Sequence, residues 1–384
     1  MKVALFTTVF APSIGGVESQ VATLARGLAG LEAQNFEVTV ITTTPAGPVD
    51  DSAFPFAVVR RPSLLQLVRL FRPADVLHLA GPSLAPLAIA LLLRKPVVLA
   101  HHGFQAVCPN GQYFLEPQRM PCSGHFMAGR HEKCWECNRG RGTLESLRIW
   151  ALTFFRRWLA ARATANVVPS RWLGEVLRLP RTTVIGHGVA PSDCRAARIG
   201  VPRISFLGRL VSSKGVSVLL RAVNILRQRG LRPTLQIIGD GPERPELEKT
   251  AAKLGLNGGV SFLGSLPDGE LDAALDGSIA VVPSLGGEVF GLVAAQNMMA
   301  GRAVVVSDLG SLAEVVGDGG LIFPAGDAQK LAECLEELSR KPALHERLRQ
   351  QARQRATEHF TIQRMVREHA DLHAAAAQRN RRSP

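Results

Sequence analysis

Residues 279 to 308 read IAVVPSLGGEVFGLVAAQNMMAGRAVVVSD. Ile279 to Val282 is a short apolar run that ends at Pro283-Ser284, and a loop with Gly286, Gly287 and Glu288 follows. A helical run then continues to Ala300, where Gly301 supplies the usual C-terminal stop. Ala303 to Val306 is again fully apolar, so the stretch predicts a strand-helix-strand unit of a parallel sheet covered on both faces. In such sheets ligands sit beyond the carboxyl ends of the strands, which is where Ser284 to Gly291 would lie.

The loop has the chemistry to meet an anion. Two glycines let backbone approach a ligand, and the unpaired N–H groups of the following helix favour a group such as a diphosphate. Glu288 stands at the mouth, and Gln296 follows two helical turns later. Both side chains can hydrogen-bond sugar hydroxyls. The simpler reading is a strand-loop-helix in which Glu288 only caps the helix, and spacing alone does not separate the two.

The same stretch resembles the second-domain signature of the family 4 glycosyltransferases of the GT-B fold. The family pattern is PS, then E-x-F-G, a second Glu eight residues after the first, and a small-residue turn. Pro283, Ser284, Glu288, Phe290, Gly291, Ala300 and Gly301 match it, while Gln296 stands where the second Glu belongs. The resemblance implies that Glu288 contacts the donor sugar and that position 296 holds the ribose of the nucleotide. A Gln offers one acceptor and one donor group there in place of a charged double acceptor.

At 384 residues the chain is long enough for two domains. An apolar fraction of 46% with 20% charged residues belongs to a globular protein with buried sheets. The net charge of +13 is uneven: residues 1–190 carry 20 Lys/Arg against 11 Asp/Glu. The first half is therefore the more attractive to lipid, lipid-phosphate or other anions, although an Arg-rich surface from coding bias would look alike. Only 5% of residues are aromatic and no zinc finger or RNA-recognition signature occurs, which speaks against nucleic acid. Met1 to Phe10 reads as a short apolar strand leading into APSIGG without the cleavage-type end of a signal peptide, and Leu84 to Leu93 is too short to span a bilayer. The expectation is a cytoplasmic protein with peripheral contact to an anionic membrane at its inner face.

Lys2 to Thr7 and Phe36 to Thr42 read as strands around a Gly-rich loop and an amphipathic helix. The full G-x-G-x-x-G of dinucleotide enzymes is missing. Gly15, Gly16 and Glu18 instead resemble the GG-x-E of the family's first domain, a loop that faces the donor phosphates. The strand Pro96 to Ala100 ends in His101-His102-Gly103, and the resemblance places His102 close to the donor sugar. On the residues alone, a satisfied core histidine is the simpler account. Thr183 to Val189 matches the family's short strand and N-G-V turn, with His187 for the Asn.

Cys108, Cys122, Cys134 and Cys137 fall in an insertion at about 104–140. The closing C-x-x-C predicts a structural zinc with all four as ligands, with disulfides or packed thiols as the rival accounts. Thr143 to Ala163 carries Leu147, Trp150, Phe154, Phe155 and Trp158 interleaved with arginines, and reads either as an interfacial helix or as a core helix rimmed by two arginines. In the second half, FLGRLVSSKGVSVLLRAV resembles the family's G-R-L and K-G segment, whose Arg and Lys neutralise the leaving diphosphate; here these are Arg209 and Lys214.

The expected architecture is α/β: a GT-B pair of Rossmann-like, doubly wound parallel-sheet domains facing each other across a cleft. Residues 1–190 form the acceptor-side domain, 201–357 the nucleotide-sugar domain, and 358–384 a helix crossing back to the first domain followed by a disordered basic tail from Gln378. The resemblance implies a retaining hexosyltransferase using a UDP-sugar before a GDP-sugar, with no catalytic metal, acting on a glycan or lipid-linked acceptor in cell-surface polysaccharide or glycolipid synthesis. His102, Glu288, Arg209 and Lys214 are the catalytic candidates; Gly15, Gly16, Gly287, Phe290, Gly291 and Gln296 join Arg209, Lys214 and Glu288 as donor-binding ones. A UDP-sugar epimerase and a catalytically weak nucleotide-sugar-binding protein are the alternatives.

Overall fold

A computed structural model of the chain describes residues 1–13, 15–31, 35–192 and 202–382. Most of the expected linker, residues 193–201, lies outside the described residues, as does the expected start of the second domain at 201. The chain divides into two compact units: Met1–Tyr113, Ser123–Gly188 and Ile362–Pro384 in the first, Phe114–Cys122 and Val189–Thr361 in the second.

Unit 1 runs β1 (Lys2–Thr7), α1 (Gly16–Ala29), β2 (Glu37–Thr42), β3 (Ala57–Arg60), α2 (Leu64–Phe71), β4 (Val76–Ala80), α3 (Leu84–Leu92) and β5 (Val97–Ala100). The insertion follows, with the hairpin β6 (Phe114–Leu115) and β7 (Met120–Pro121), then α4 (His131–Asn138) and α5 (Thr143–Ala160), before β8 (Ala165–Val168), α6 (Arg171–Leu177) and β9 (Thr182–Val184). The seven-stranded sheet has the order β3-β2-β1-β4-β5-β8-β9 with every pair parallel. Because β3 to β4, β4 to β5 and β5 to β8 all step the same way across it, right-handed crossovers put α2, α3 and α5 on one face and α1 on the other. The packing agrees, since α2 lies on α3, α3 on α5, and α1 against the C-terminal helix.

Unit 2 runs β10 (Arg203–Leu207), α7 (Val216–Gln228), β11 (Thr234–Ile238), α8 (Arg244–Lys253), β12 (Val260–Gly264), α9 (Asp268–Leu275), β13 (Ile279–Val282), α10 (Leu292–Met299), β14 (Val304–Ser307), α11 (Leu312–Val316), β15 (Leu321–Phe323), α12 (Ala328–Arg340) and α13 (Pro342–His359). Its six parallel strands order as β12-β11-β10-β13-β14-β15. Ile279 and Val281 enter one core and Ala280 and Val282 the other, so β13 is apolar throughout because both its faces are buried. The order reverses between β10 and β13, which brings the loops that follow them together at the switch point.

The C-terminal helix α14 (Ile362–Arg382) belongs to unit 1 and packs on α1, β4 and β5. It is helical past Gln378, contrary to the expected disordered tail: Leu372 and Ala376 keep its apolar stripe on the unit 1 core, and the helix propagates beyond them. The hairpin β6–β7 groups with unit 2, although it springs from the insertion; there Glu116 accepts from Ser212 Oγ (3.4 Å) and Arg119 pairs with Glu243 (3.2 Å).

The tightest backbone approach in unit 2 is at Gly215, which caps α7 at φ +68°. A Cβ there would run into the carbonyl oxygen of Pro283. Gly215→Ala should lower the stability of unit 2 by roughly 2–4 kcal/mol, from the left-handed backbone plus overpacking, seen as a lower urea midpoint by circular dichroism. An unchanged midpoint would mean that the two loops do not meet here.

Candidate active site

In unit 2 the β10 and β13 loops are stitched together by backbone. Leu285 and Gly286 N–H both donate to Ser213 O (2.7 and 2.9 Å), and a Cβ on Gly286 would stand 2.9 Å from that of Ser213. On this frame Glu288 Oε1 accepts from Lys214 Nζ (2.6 Å) and from Ser284 Oγ (2.7 Å). The Glu288 side chain is 17% exposed and Lys214 33%. Burial pushes the Glu288 carboxyl up, but the Lys214 charge and the two hydrogen bonds outweigh it and hold it below its ordinary value. The loop's far side is pinned by Ser311, whose N–H and Oγ both donate to Glu288 O (3.0 and 2.9 Å), and by Ser307 Oγ on Ser284 O (2.8 Å).

Gly291 caps α10 in the left-handed region, at φ +88°, with no side chain bonding the first turn. The start of α10 therefore opens beside Lys214 and Glu288, which suits an anion. Arg209 and Gln296 are exposed, Arg209 on the loop after β10 and Gln296 in the second turn of α10. Phe290 is another of the donor-binding candidates. It is 2% exposed and stands edge-on to Phe360 at 5.3 Å, because the apolar ring is driven into the core while the backbone on either side forms the loop.

In unit 1, Gly15 precedes α1 with extended backbone, Gly16 is exposed, and the Glu18 carboxylate folds back over Gly15, where a Cβ would stand 2.5 Å from it. His102 lines a small cavity with Gln20, His78, His101, His187 and His369. It stacks on His187 with ring centroids 5.3 Å apart. His78 Nδ1 meets His373 Nε2 at 3.0 Å, and His101 Nε2 meets Asn166 Oδ1 at 2.9 Å. Gln20 Nε2 donates to Gly188 O (2.9 Å), leaving Gln20 Oε1 and His102 Nδ1 buried without a partner toward the cavity.

Two family models match the chain: Glycosyltransferase Family 4 over residues 14–193 and Glycosyl transferases group 1 over 198–355. The chain belongs to the family 4 glycosyltransferases. Its all-parallel sheets of seven and six strands are the two halves of the GT-B fold. A glycogen synthase of Mycobacterium tuberculosis is 30% identical over 67% of this chain and 63% of its own length. A phosphatidyl-myo-inositol mannosyltransferase of Mycobacterium leprae is 38% identical over 49% of this chain and 52% of its own. The matched region thus spans between half and two thirds of these relatives. The structure of Anabaena HepE with UDP and glucose superposes with a TM-score of 0.70 at 18% identity, covering 98% of this chain and 100% of that one.

Sequence reasoning about this glycosyltransferase missed the partners of His102. His187, Gln20 and His369 of α14 reach the same cavity from three segments, His373 stands behind His369, and only GHG at 186–188 marked one of them. No zinc site is evident among the described residues. Among the described residues no three His, Cys, Asp or Glu side chains gather as a metal ion needs, and Cys108, Cys122, Cys134 and Cys137 are thiols. Asn110 bridges two of them, accepting from Cys108 Sγ (2.9 Å) and donating to Cys137 Sγ (3.1 Å). Among the described residues no helix is long and apolar enough to cross a membrane.

Burial lowers the pKa of all six clustered histidines: His101, His102 and His369 to about 4, His373 to about 3, and His78 and His187 well below 6.5. Neighbouring histidine charges push His78, His102, His187 and His373 further the same way. Above pH 6.5 both folded and unfolded chains keep these rings neutral, so stability is at its full value. As pH falls below 6.5 the unfolded chain takes up protons that the fold refuses, and stability is lost at about 1.4 kcal/mol per pH unit per proton. All four tryptophans lie in unit 1, so their fluorescence reports it. Its urea midpoint should fall steeply between pH 6.5 and 5, before most carboxylates titrate, and His373→Asn should flatten that fall. A flat profile in the wild type would contradict a neutral cluster.

Proposed function

We propose that this glycosyltransferase moves a hexosyl group from a nucleotide-diphospho-sugar, a UDP-sugar before a GDP-sugar, to a glycan or lipid-linked acceptor, with retention at the anomeric carbon. The observation that carries the reading is the Lys214–Glu288–Ser284 cluster beside the uncapped start of α10, at the switch point of a sheet in a chain of this family. Transfer requires the leaving diphosphate to be stabilised, and Lys214 as a point charge, Arg209 as a fork and the helix start supply that without a metal ion. Glu288 and the backbone from Gly287 to Gly291 position the sugar, Gln296 hydrogen-bonds the ribose, and neutral His102 assists at the reacting face. With Nδ1 unpartnered, His102 has a ring nitrogen available to a substrate hydroxyl.

The relatives support the substrate class by their printed names. One is a glycogen synthase, one a mannosyltransferase to phosphatidyl-myo-inositol, and the HepE crystals hold UDP and glucose. A polymeric or lipid-borne acceptor reached from the cytoplasmic side, in cell-surface polysaccharide or glycolipid synthesis, is the reading they favour.

A thermal-shift series with UDP-, GDP- and ADP-sugars tests the donor. A UDP-sugar at 100 times its dissociation constant should stabilise the protein by about 2.7 kcal/mol. Lys214→Ala should abolish most of that shift and reduce turnover by roughly 10²-fold or more, while Gln296→Glu should bind the donor at least as tightly as wild type. If no nucleotide sugar stabilises the wild type and Gln296→Glu regains it, the chain is a weakened nucleotide-sugar binder. Product formation without an acceptor would point to an epimerase instead.

A further inference from the structure

Helix α5 wears its amphipathy inside out. The side chains it buries are Ser146, Thr153 and Ala160, all small or polar. Ser146 Oγ donates to Asn138 O (3.0 Å) and Thr153 Oγ1 to Ile149 O (2.8 Å), so that face goes into the protein with its hydroxyls satisfied. The exposed side carries Leu144, Leu147, Phe154, Phe155 and Trp158, with Leu144 82%, Phe155 60% and Trp158 54% accessible. At the helical step of 100° per residue these five fall within an arc of about 100°, roughly opposite the buried three. A core helix rimmed by arginines, the simpler of the two readings of its sequence, would have the reverse pattern.

The surroundings of that stripe are cationic. Residues 139–162 contain six arginines against one acid, Glu145. Arg139, Arg141, Arg148 and Arg162 are exposed, and the Arg162 guanidinium lies over the Trp158 ring at 3.5 Å. On the same helical layer of unit 1, Leu64 and Leu65 of α2 and Leu92 of α3 are also exposed. An apolar stripe with an aromatic centre and an arginine margin is complementary to a layer of acyl chains under anionic headgroups. It runs along one helix, unlike the singly scattered apolar groups of an ordinary surface.

We propose that the exposed face of α5 docks unit 1 on an anionic lipid bilayer, Phe155 and Trp158 entering the headgroup boundary and the arginines contacting lipid phosphates. The docking uses no residue of the candidate active site and stands independently of the donor chemistry.

Vesicle sedimentation of the purified full chain tests it, with phosphatidylcholine vesicles alone and with vesicles half phosphatidylglycerol. Wild type should sediment with the anionic vesicles at least tenfold more tightly than with the neutral ones, and weaken several-fold between low and high salt. Phe155→Ser with Trp158→Ser, both at exposed positions and checked for native circular dichroism, should bind anionic vesicles at least tenfold more weakly. Arg148→Glu with Arg162→Glu should lose the preference for anionic lipid. The proposal is overturned if wild type stays in the supernatant with anionic vesicles or if the double Ser variant binds them equally. It is also overturned if wild type is a dimer that the double Ser variant converts to monomer, because a second copy would then cover the face.

Discussion

The carboxylate of Glu288 is the point on which unit 2's candidate site turns. A largely buried carboxylate is costly unless it is paired and hydrogen-bonded, and Lys214 and Ser284 satisfy it from two different loops. That pairing requires the loops after β10 and β13 to meet, which the strand order permits and which Gly215 and Gly286 make sterically feasible. Lys214 is not used up by the contact: its ammonium has three donors and spends one of them on Glu288.

Unit 1 solves the opposite problem. Its polar centre is a set of histidines that are uncharged because they are buried, with His101 held by Asn166 and His369 by Met365 O. A second cationic centre there would have to be desolvated without an acid to pair with, since no carboxylate lines the cavity. Neutral rings avoid that cost and still offer nitrogen atoms to hydroxyl groups. Cation chemistry is therefore concentrated in the loops of unit 2, and neutral hydrogen bonding in the cavity of unit 1.

What the sequence disclosed follows the same physics. Strands buried on both faces, such as Ile279–Val282 and Val304–Ser307, are legible because their residues are apolar throughout but for the closing Ser307, whose hydroxyl is hydrogen-bonded. β3 (Ala57–Arg60) was obscured because it is an edge strand with no fully buried residue. α13 (Pro342–His359) was obscured because only Leu348, Ala352 and Ala356 of its eighteen residues are buried, too thin a stripe in so polar a helix. The motif residues Lys214 and Glu288 were legible as a pair of charges, but their mutual contact depends on tertiary approach. Phe290 is buried against Phe360, a placement that residue type alone does not disclose. The histidine cavity is drawn from segments nearly 300 residues apart, so no local pattern could announce it.

The direction in which a helix faces is likewise invisible to periodicity alone. The stripe in α5 has the spacing of a core helix, and what reverses it is the site it docks on. Its inner neighbours accept Ser146, Thr153 and Ala160, whose small volumes let the helix lie close against α3 and α4. Phe155 and Trp158 are left outside, while Trp150 packs on His131 and Trp135 of α4. An outward aromatic stripe survives in a protein only where exposure is tolerated or useful, and the arginines that accompany it here would be poor neighbours for a second buried core but good ones for phosphate. Position 296 obeys the same logic on a smaller scale. The Gln296 amide is exposed, so the packing of α10 makes no demand on its charge.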